Sequence, residues 1–160
     1  MSATQNIGCA TNISKSAPFV ELHQCLVSSV AAISPFVDRL MRFIRLFMEK
    51  FGAIKENEDE IEIALSEALA NAVIHGNREK IEKCVYVICR CSMDGDVLIT
   101  VRDEGEGFDS RAVPDPTDPQ SLLLSHGRGL HLMRALMDEV SFEEYGTVVR
   151  MRKRLPIAVR

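Results

Sequence analysis

The period of the apolar positions changes several times along the chain, and each change marks an expected element. Residues 1–18, MSATQNIGCATNISKSAP, are small and polar without period, the pattern of a flexible N-terminal tail outside the fold. The stretch Phe19–Val30 fits a helix or a strand period, and an edge strand is the expectation. Ser34 and Pro35 then read as an N-cap and a first-turn proline. Phe36, Leu40, Ile44, Phe47, Met48 and Phe51 follow at helical spacing up to Gly52. A second helix is expected from about Asn57, with Glu60 three residues on, acidic residues in the first turn and a buried stripe of Ile61, Ala64, Leu65, Ala68, Leu69 and Ala72. Gly76 and Asn77 tolerate a left-handed backbone, so its end is expected near His75.

Beyond that point the period falls to two. Val85, Val87, Cys89 and Cys91 alternate with outward residues, and after the hairpin signal MDGD so do Val97, Ile99 and Val101, which predicts two antiparallel strands. Residues 109–128 are rich in proline and polar residues and bounded by glycines, as a mobile lid would be. A third helix is expected from Leu130 to about Met137, then strands Val140–Glu144 and Thr147–Leu155. The predicted fold is α+β: a two-layer sandwich of three main helices on one face of a largely antiparallel mixed sheet, forming a single domain over residues 19–160.

Composition narrows the class. With 160 residues, 46% hydrophobic and 26% charged, the chain suits one globular domain. A net charge of −4 gives no overall attraction to nucleic acid or anionic membrane, so an anionic ligand must be held locally. Five cysteines without a CxxC pair or a secretory signal point to a reducing, cytoplasmic setting, and the strand cysteines read as small core residues. No apolar run reaches transmembrane length. The four histidines match no zinc spacing. Arg39, Arg42 and Arg45 read as a solvated helix face.

Three groups carry candidate chemistry. In DEGEGFD, strand parity places Asp103 on the side the helices cover, where a carboxylate needs a donor such as the exocyclic amine of a base. Gly105 and Gly107 let the backbone approach a flat ring, although an ordinary aspartate-glycine turn has the same letters. In GRGL, Gly127, Arg128, Gly129 and Leu130 open the third helix, where free N–H groups and a positive side chain suit a phosphate. On the second helix Glu67 and Asn71, four residues apart, share a face. An asparagine carbonyl can ligate Mg²⁺ and a carboxylate can take a proton from an attacking hydroxyl, while a ligand-free surface pair is the alternative.

The strings SEALANAVIHGN, DEGEGFD and HGRGLHLM resemble, in order, the N box and the two glycine boxes of the GHKL superfamily of ATPases and kinases. Within it the lone domain and the phrase PDPTDPQSLLLSHGRGLHLMRALMDEV are similar to the anti-sigma-factor serine kinases. The likeness covers about residues 34–155. It implies the Bergerat ATP-binding fold, with ATP or ADP and Mg²⁺ as cofactors. It implies Glu67 as catalytic carboxylate, Asn71 as Mg²⁺ ligand, Asp103 as adenine acceptor, and Gly105, Gly107 and Phe108 around the base. Gly127, Arg128, Gly129 and Leu130 would lie near the phosphates and Thr147 near the adenine. Ala70 departs from the threonine many relatives carry there. The resemblance implies a serine kinase that sequesters a sigma factor and phosphorylates a STAS-type anti-anti-sigma protein, as a possible homodimer. The alternatives are a nucleotide-sensing binding module without chemistry and the detached catalytic domain of a histidine kinase.

Overall fold

A computed structural model of the chain describes residues 12–16, 19–51, 57–107 and 125–156. The elements are β1 (Asn12–Ser16), β2 (Phe19–Val27), α1 (Val30–Phe51), α2 (Glu58–Ala70), β3 (Cys84–Ser92), β4 (Asp96–Arg102), α3 (Ser125–Leu136), β5 (Glu139–Glu143) and β6 (Val148–Arg154). A π-helical turn, Asn71–Gly76, prolongs α2, and a 3-10 turn, Glu144–Gly146, joins β5 to β6. The strands form one sheet in the order β1-β2-β3-β4-β6-β5. Every adjacent pair is antiparallel, so the mixed character expected of the sheet is absent among the described strands.

The alternation seen in the sequence decides which face is covered. Val85, Val87, Cys89 and Cys91 of β3 and Val97, Ile99 and Val101 of β4 are all buried on one face, with Met151 of β6 beside them. Phe36, Leu40, Met41, Ile44 and Met48 of α1, Ile61, Leu65 and Leu69 of α2 and Met133 of α3 close over that face in one core. Each such large side chain contributes about 1.5–3 kcal/mol by leaving water. Cys89 and Cys91 lie with their sulfurs 3.9 Å apart inside this core. The contact with Cys91, reinforced by burial, holds the Cys89 thiol well above its ordinary pKa, so it stays a neutral core group.

Several local expectations are corrected. Residues 12–16, assigned to the tail, form β1, and β2 is therefore flanked on both sides. Polar NISKS carries no hydrophobic alternation, because an edge strand can be held by its backbone ladder alone. Helix α1 starts at Val30, one turn before Ser34, and Pro35 lies inside it. The Ala32 N–H already bonds to the Ser29 carbonyl at 3.0 Å, and the extra turn packs Ala32 and Ile33 against the core. At α2 Asn57 makes no side-chain cap, and Glu60 pairs with Lys153 at 2.5 Å instead. Gly76 and Asn77 are not left-handed; Arg78 and Glu79 are, both with φ of 54°. Helix α3 starts at Ser125 rather than Leu130, so the end of the expected lid is helical, and the rest of the lid lies outside the described residues.

The buried Lys153 ties the layers together. From the inner face of β6 its ammonium donates to the Leu136 carbonyl at 2.6 Å, at the negative end of α3. It also meets the Glu60 carboxylate in the first turn of α2. Among the described residues no helix is long and apolar enough to cross a membrane.

Removal of this ammonium leaves a carboxylate and a helix-end carbonyl without their donor. Lys153→Ala is therefore expected to lose about 2–4 kcal/mol of stability in urea unfolding. A loss below about 0.5 kcal/mol would show that the two helix ends do not depend on it.

Candidate functional site

Helices α2 and α3 run over the end of the sheet where β4 ends and β6 begins, and they leave a cavity of about 230 Å³ there. Ala68, Ala72, Leu130, Met133, Val101 and Phe142 supply apolar walls, and Asn71, Asp103 and Thr147 supply polar groups. Such a slot suits a flat heterocycle recognised by a few polar contacts.

Asp103 follows β4 in the parity expected of it, and its residue is only 9% exposed. Among the described residues its carboxylate accepts one hydrogen bond, from the Gly105 N–H at 2.7 Å. Burial pushes its pKa up, against the smaller opposing effects of that N–H and of the Lys83 charge. A carboxylate held this way is short of donors and favours a ligand that brings one. The Asp103 N–H itself donates to the Thr147 carbonyl at 3.0 Å, which fixes the strand end to the loop after the 3-10 turn.

The glycines around it are explained by close approach. A Cβ on Gly76 would lie 2.4–2.6 Å from the Asp103 carboxylate, and one on Gly105 would lie 2.3 Å from the Gly76 carbonyl oxygen. Two backbones thus meet with the carboxylate between them. Gly107 has φ of +79°, and a Cβ there would strike the Tyr145 carbonyl at 2.2 Å. Thr147 lies just before β6, lines the cavity and donates its hydroxyl to the Glu144 carbonyl at 2.9 Å. Its hydroxyl oxygen keeps acceptor capacity toward the cavity region. Phe108 lies outside the described residues.

Half-buried Glu67, near the end of α2, and cavity-lining Asn71, at the start of the π-turn, face the same neighbour as their spacing predicts. Gly129 rests directly on them: a Cβ there would come within 2.7 Å of Glu67 Oε2 and 3.4 Å of Asn71 Nδ2. With α3 beginning at Ser125, Gly127 and Arg128 fall within its first four residues, whose N–H groups have no partner inside the helix. Gly129 lies just beyond them. Gly127 and Gly129 are buried, Arg128 is exposed, and Leu130 turns into the cavity wall. The glycine cluster is therefore part of the helix, and Gly129 provides room for the α2 side chains.

The donor set here fits a hard cation that shares its ligands with a phosphate. Asn71 Nδ2 is buried without a hydrogen-bond partner and, as a donor, suits an incoming oxygen such as a phosphate's, which leaves Oδ1 of the same amide as the atom that would face a cation. No group of three or more His, Cys, Asp or Glu side chains forms a metal cage among the described residues. Asn71 would hold an ion only with phosphate oxygens and water completing the shell, which is how Mg²⁺ binds, and Glu67 beside it is a carboxylate suited to take a proton.

Other contributors escaped the sequence reading. The π-turn places Asn71 and Gly76 on either side of the cavity, and such turns favour functional sites. Arg78 lines the cavity mouth and meets Glu106 across it at 3.4 Å. Gly76 and Asn77 were legible only as a helix stop. Phe142 and Met133 were legible only as apolar residues of an element.

Comparison with known proteins identifies the family. Residues 34–153 match the model of the histidine kinase-like ATPase domain. The chain is 40% identical over 100 residues to the anti-sigma F factor of Heyndrickxia coagulans, covering 58% of this chain and 67% of that protein. It is 34% identical over 116 residues to the anti-sigma F factor of Bacillus subtilis, covering 68% and 77%. It is 33% identical over 109 residues to the serine-protein kinase RsbW of Staphylococcus epidermidis, covering 64% and 69%. The crystal structure of the RsbU and RsbW domains of Rv1364c from Mycobacterium tuberculosis superposes with a TM-score of 0.55 at 22% identity. That match covers 86% of this chain and 33% of the larger one, and it speaks for the fold alone. The matched segment spans the elements that line the cavity, and the chain belongs to the histidine kinase-like ATPase domain family.

Proposed function

We propose that the protein is an anti-sigma factor and an ATP-dependent serine kinase of a partner-switching system that regulates transcription. In this reading it binds a sigma factor and phosphorylates a serine of a STAS-type anti-anti-sigma protein. The kinship with anti-sigma F factors and RsbW kinases supports the class of activity. The observation that carries the chemistry is the seating of Gly129 on Glu67 and Asn71. It brings the start of α3, a carboxylate and an amide to one place beside a base-sized cavity, which supports reading that helix start as the phosphate end.

In this reading the adenine enters the cavity and its amine donates to Asp103, with Thr147 and Gly107 at its edge. The triphosphate leads toward the first turn of α3, where the N–H groups of residues 125–128 and the Arg128 guanidinium offset its charge. Asn71 Oδ1 would hold Mg²⁺, which when bound would supply charge neutralisation at the phosphate oxygens. Glu67 orients the serine hydroxyl of the partner and takes its proton as the serine oxygen forms a bond to the γ-phosphorus. The bond from that phosphorus to the bridging oxygen breaks, and ADP departs. A cytoplasmic homodimer without direct nucleic-acid contact completes the proposal, in keeping with the chain's net charge of −4.

Glu67→Gln keeps the size of the side chain and removes the proton acceptor. Transfer from labelled ATP to a STAS partner is expected to fall about 10²–10⁴-fold while ATP affinity stays within about threefold. Undiminished transfer would remove Glu67 from the reaction.

Asp103→Asn tests the base end through stability as well as binding. Because burial raises the folded pKa of Asp103, the native state holds its proton more readily than the unfolded chain does. The charge therefore destabilises the nucleotide-free protein increasingly as pH rises from the ordinary aspartate value through the raised one. The variant is expected to melt higher than wild type at neutral pH, with the gap closing in acid, and to lose adenine-nucleotide affinity. A variant that melts lower at neutral pH would contradict this account.

A further inference from the structure

Among the described residues, one buried polar side chain, Asn77, bonds to the loop that carries Asp103. Asn77 is fully buried at the exit of the π-turn. Its Nδ2 donates to the Cys84 carbonyl at 2.9 Å, and its Oδ1 accepts the Glu104 N–H at 2.8 Å. Its backbone N–H donates to the Ala72 carbonyl at 2.8 Å and closes the π-turn. One residue thus joins the turn that begins at Asn71, the start of β3 and the loop after β4.

The Glu104 N–H belongs to the peptide plane that follows Asp103. Fixing that plane fixes the backbone torsion of Asp103 and hence where its carboxylate points. The same plane leads into Gly105, whose N–H braces the carboxylate at 2.7 Å. Other contacts also touch this loop: Lys83 Nζ donates to the Glu104 carbonyl at 2.8 Å, and the Glu104 carboxylate accepts the Cys84 N–H at 2.8 Å and the Tyr86 hydroxyl at 3.2 Å. Those lie at the exposed surface, where water competes for the same groups. The Asn77 bonds are part-buried and come from a side chain that is itself wholly shielded from water, so solvent competes for them less and each is electrostatically stronger than its exposed counterparts. Asparagine is also the side chain of this length that both donates and accepts.

We propose that Asn77 is a positioning residue for base recognition: by clamping the Glu104 amide to the end of the π-turn it holds the Asp103 carboxylate in the orientation that accepts an amine. The inference rests on the reading of the cavity as an adenine site. It also joins that site to Asn71, so the base end and the phosphate end of the nucleotide are read by one connected piece of backbone.

The test uses the full chain and its Asn77→Ala and Asn77→Asp variants, titrated with ATP, GTP and inorganic tripolyphosphate in the presence of Mg²⁺, with melting temperatures recorded alongside. Wild type should prefer ATP over GTP by about tenfold or more, because a carboxylate that accepts from an amine repels a carbonyl oxygen at the same place. Asn77→Ala should shrink that preference about three- to tenfold and leave tripolyphosphate affinity within about twofold. Asn77→Asp keeps the acceptor for Glu104, so it should retain the preference despite a lower melting temperature. An Asn77→Ala protein that melts lower with its ATP-to-GTP ratio intact would reduce Asn77 to an ordinary structural asparagine and overturn the proposal. A wild type without preference for ATP would instead overturn the adenine reading on which it rests. Should the variants not fold, amide exchange in wild type decides. The Glu104 amide should be protected without nucleotide about as strongly as the amides paired between β4 and β6, and rapid exchange there would overturn a preset loop.

Discussion

A carboxylate held in a place short of donors is the constraint around which this fold is arranged. Asp103 sits at the end of a central strand, on the face that the helices cover, and burial raises its pKa. Holding it there requires two backbones without side chains, Gly76 on one side and Gly105 on the other, each too close for a Cβ. It also requires the 3-10 turn, whose Tyr145 carbonyl leaves room only for glycine at position 107. The cost of desolvating the charge is carried by the rest of the fold, and a ligand amine would offset it. A destabilised polar group in a preformed cavity is a common signature of a binding site.

The remainder of the structure keeps two helices at the right height over that point. At the far end of the sheet Lys153 joins the first turn of α2 to the last carbonyl of α3. At the near end Gly129 lets α3 lie directly on Glu67 and Asn71. The helices are thus fixed at both ends by contacts that permit little variation in spacing. The π-turn prolongs α2 with altered hydrogen bonding and carries the chain from Asn71, beside Gly129, to Gly76, beside the Asp103 carboxylate.

Faces and spacings were legible in the sequence because they follow from period alone. Strand parity put Asp103 on the inner side, and a separation of four put Glu67 and Asn71 together. What escaped has physical causes as well. Nothing local in GRGL says that Gly129 is small to make room for Glu67, because that contact joins residues 62 positions apart. Asn77 resembles a helix stop, and its real partners, Cys84 and Glu104, are set by the sheet. The strand at 12–16 has no apolar alternation to betray it, since backbone pairing with β2 suffices at an edge. Pro35 misled because packing of Ala32 and Ile33 against the core outweighs the hydrogen bond it removes from α1.

The central claim is that the Asp103 carboxylate is kept short of donors until an adenine amine arrives. The most direct measurement is the pH titration of the Asp103 carboxyl carbon by NMR, with and without ADP. The account predicts a pKa above the ordinary aspartate value in the free protein that falls when ADP binds, because a donor stabilises the charged form. An ordinary value in the free protein, or a raised value that ADP leaves unchanged, would contradict it.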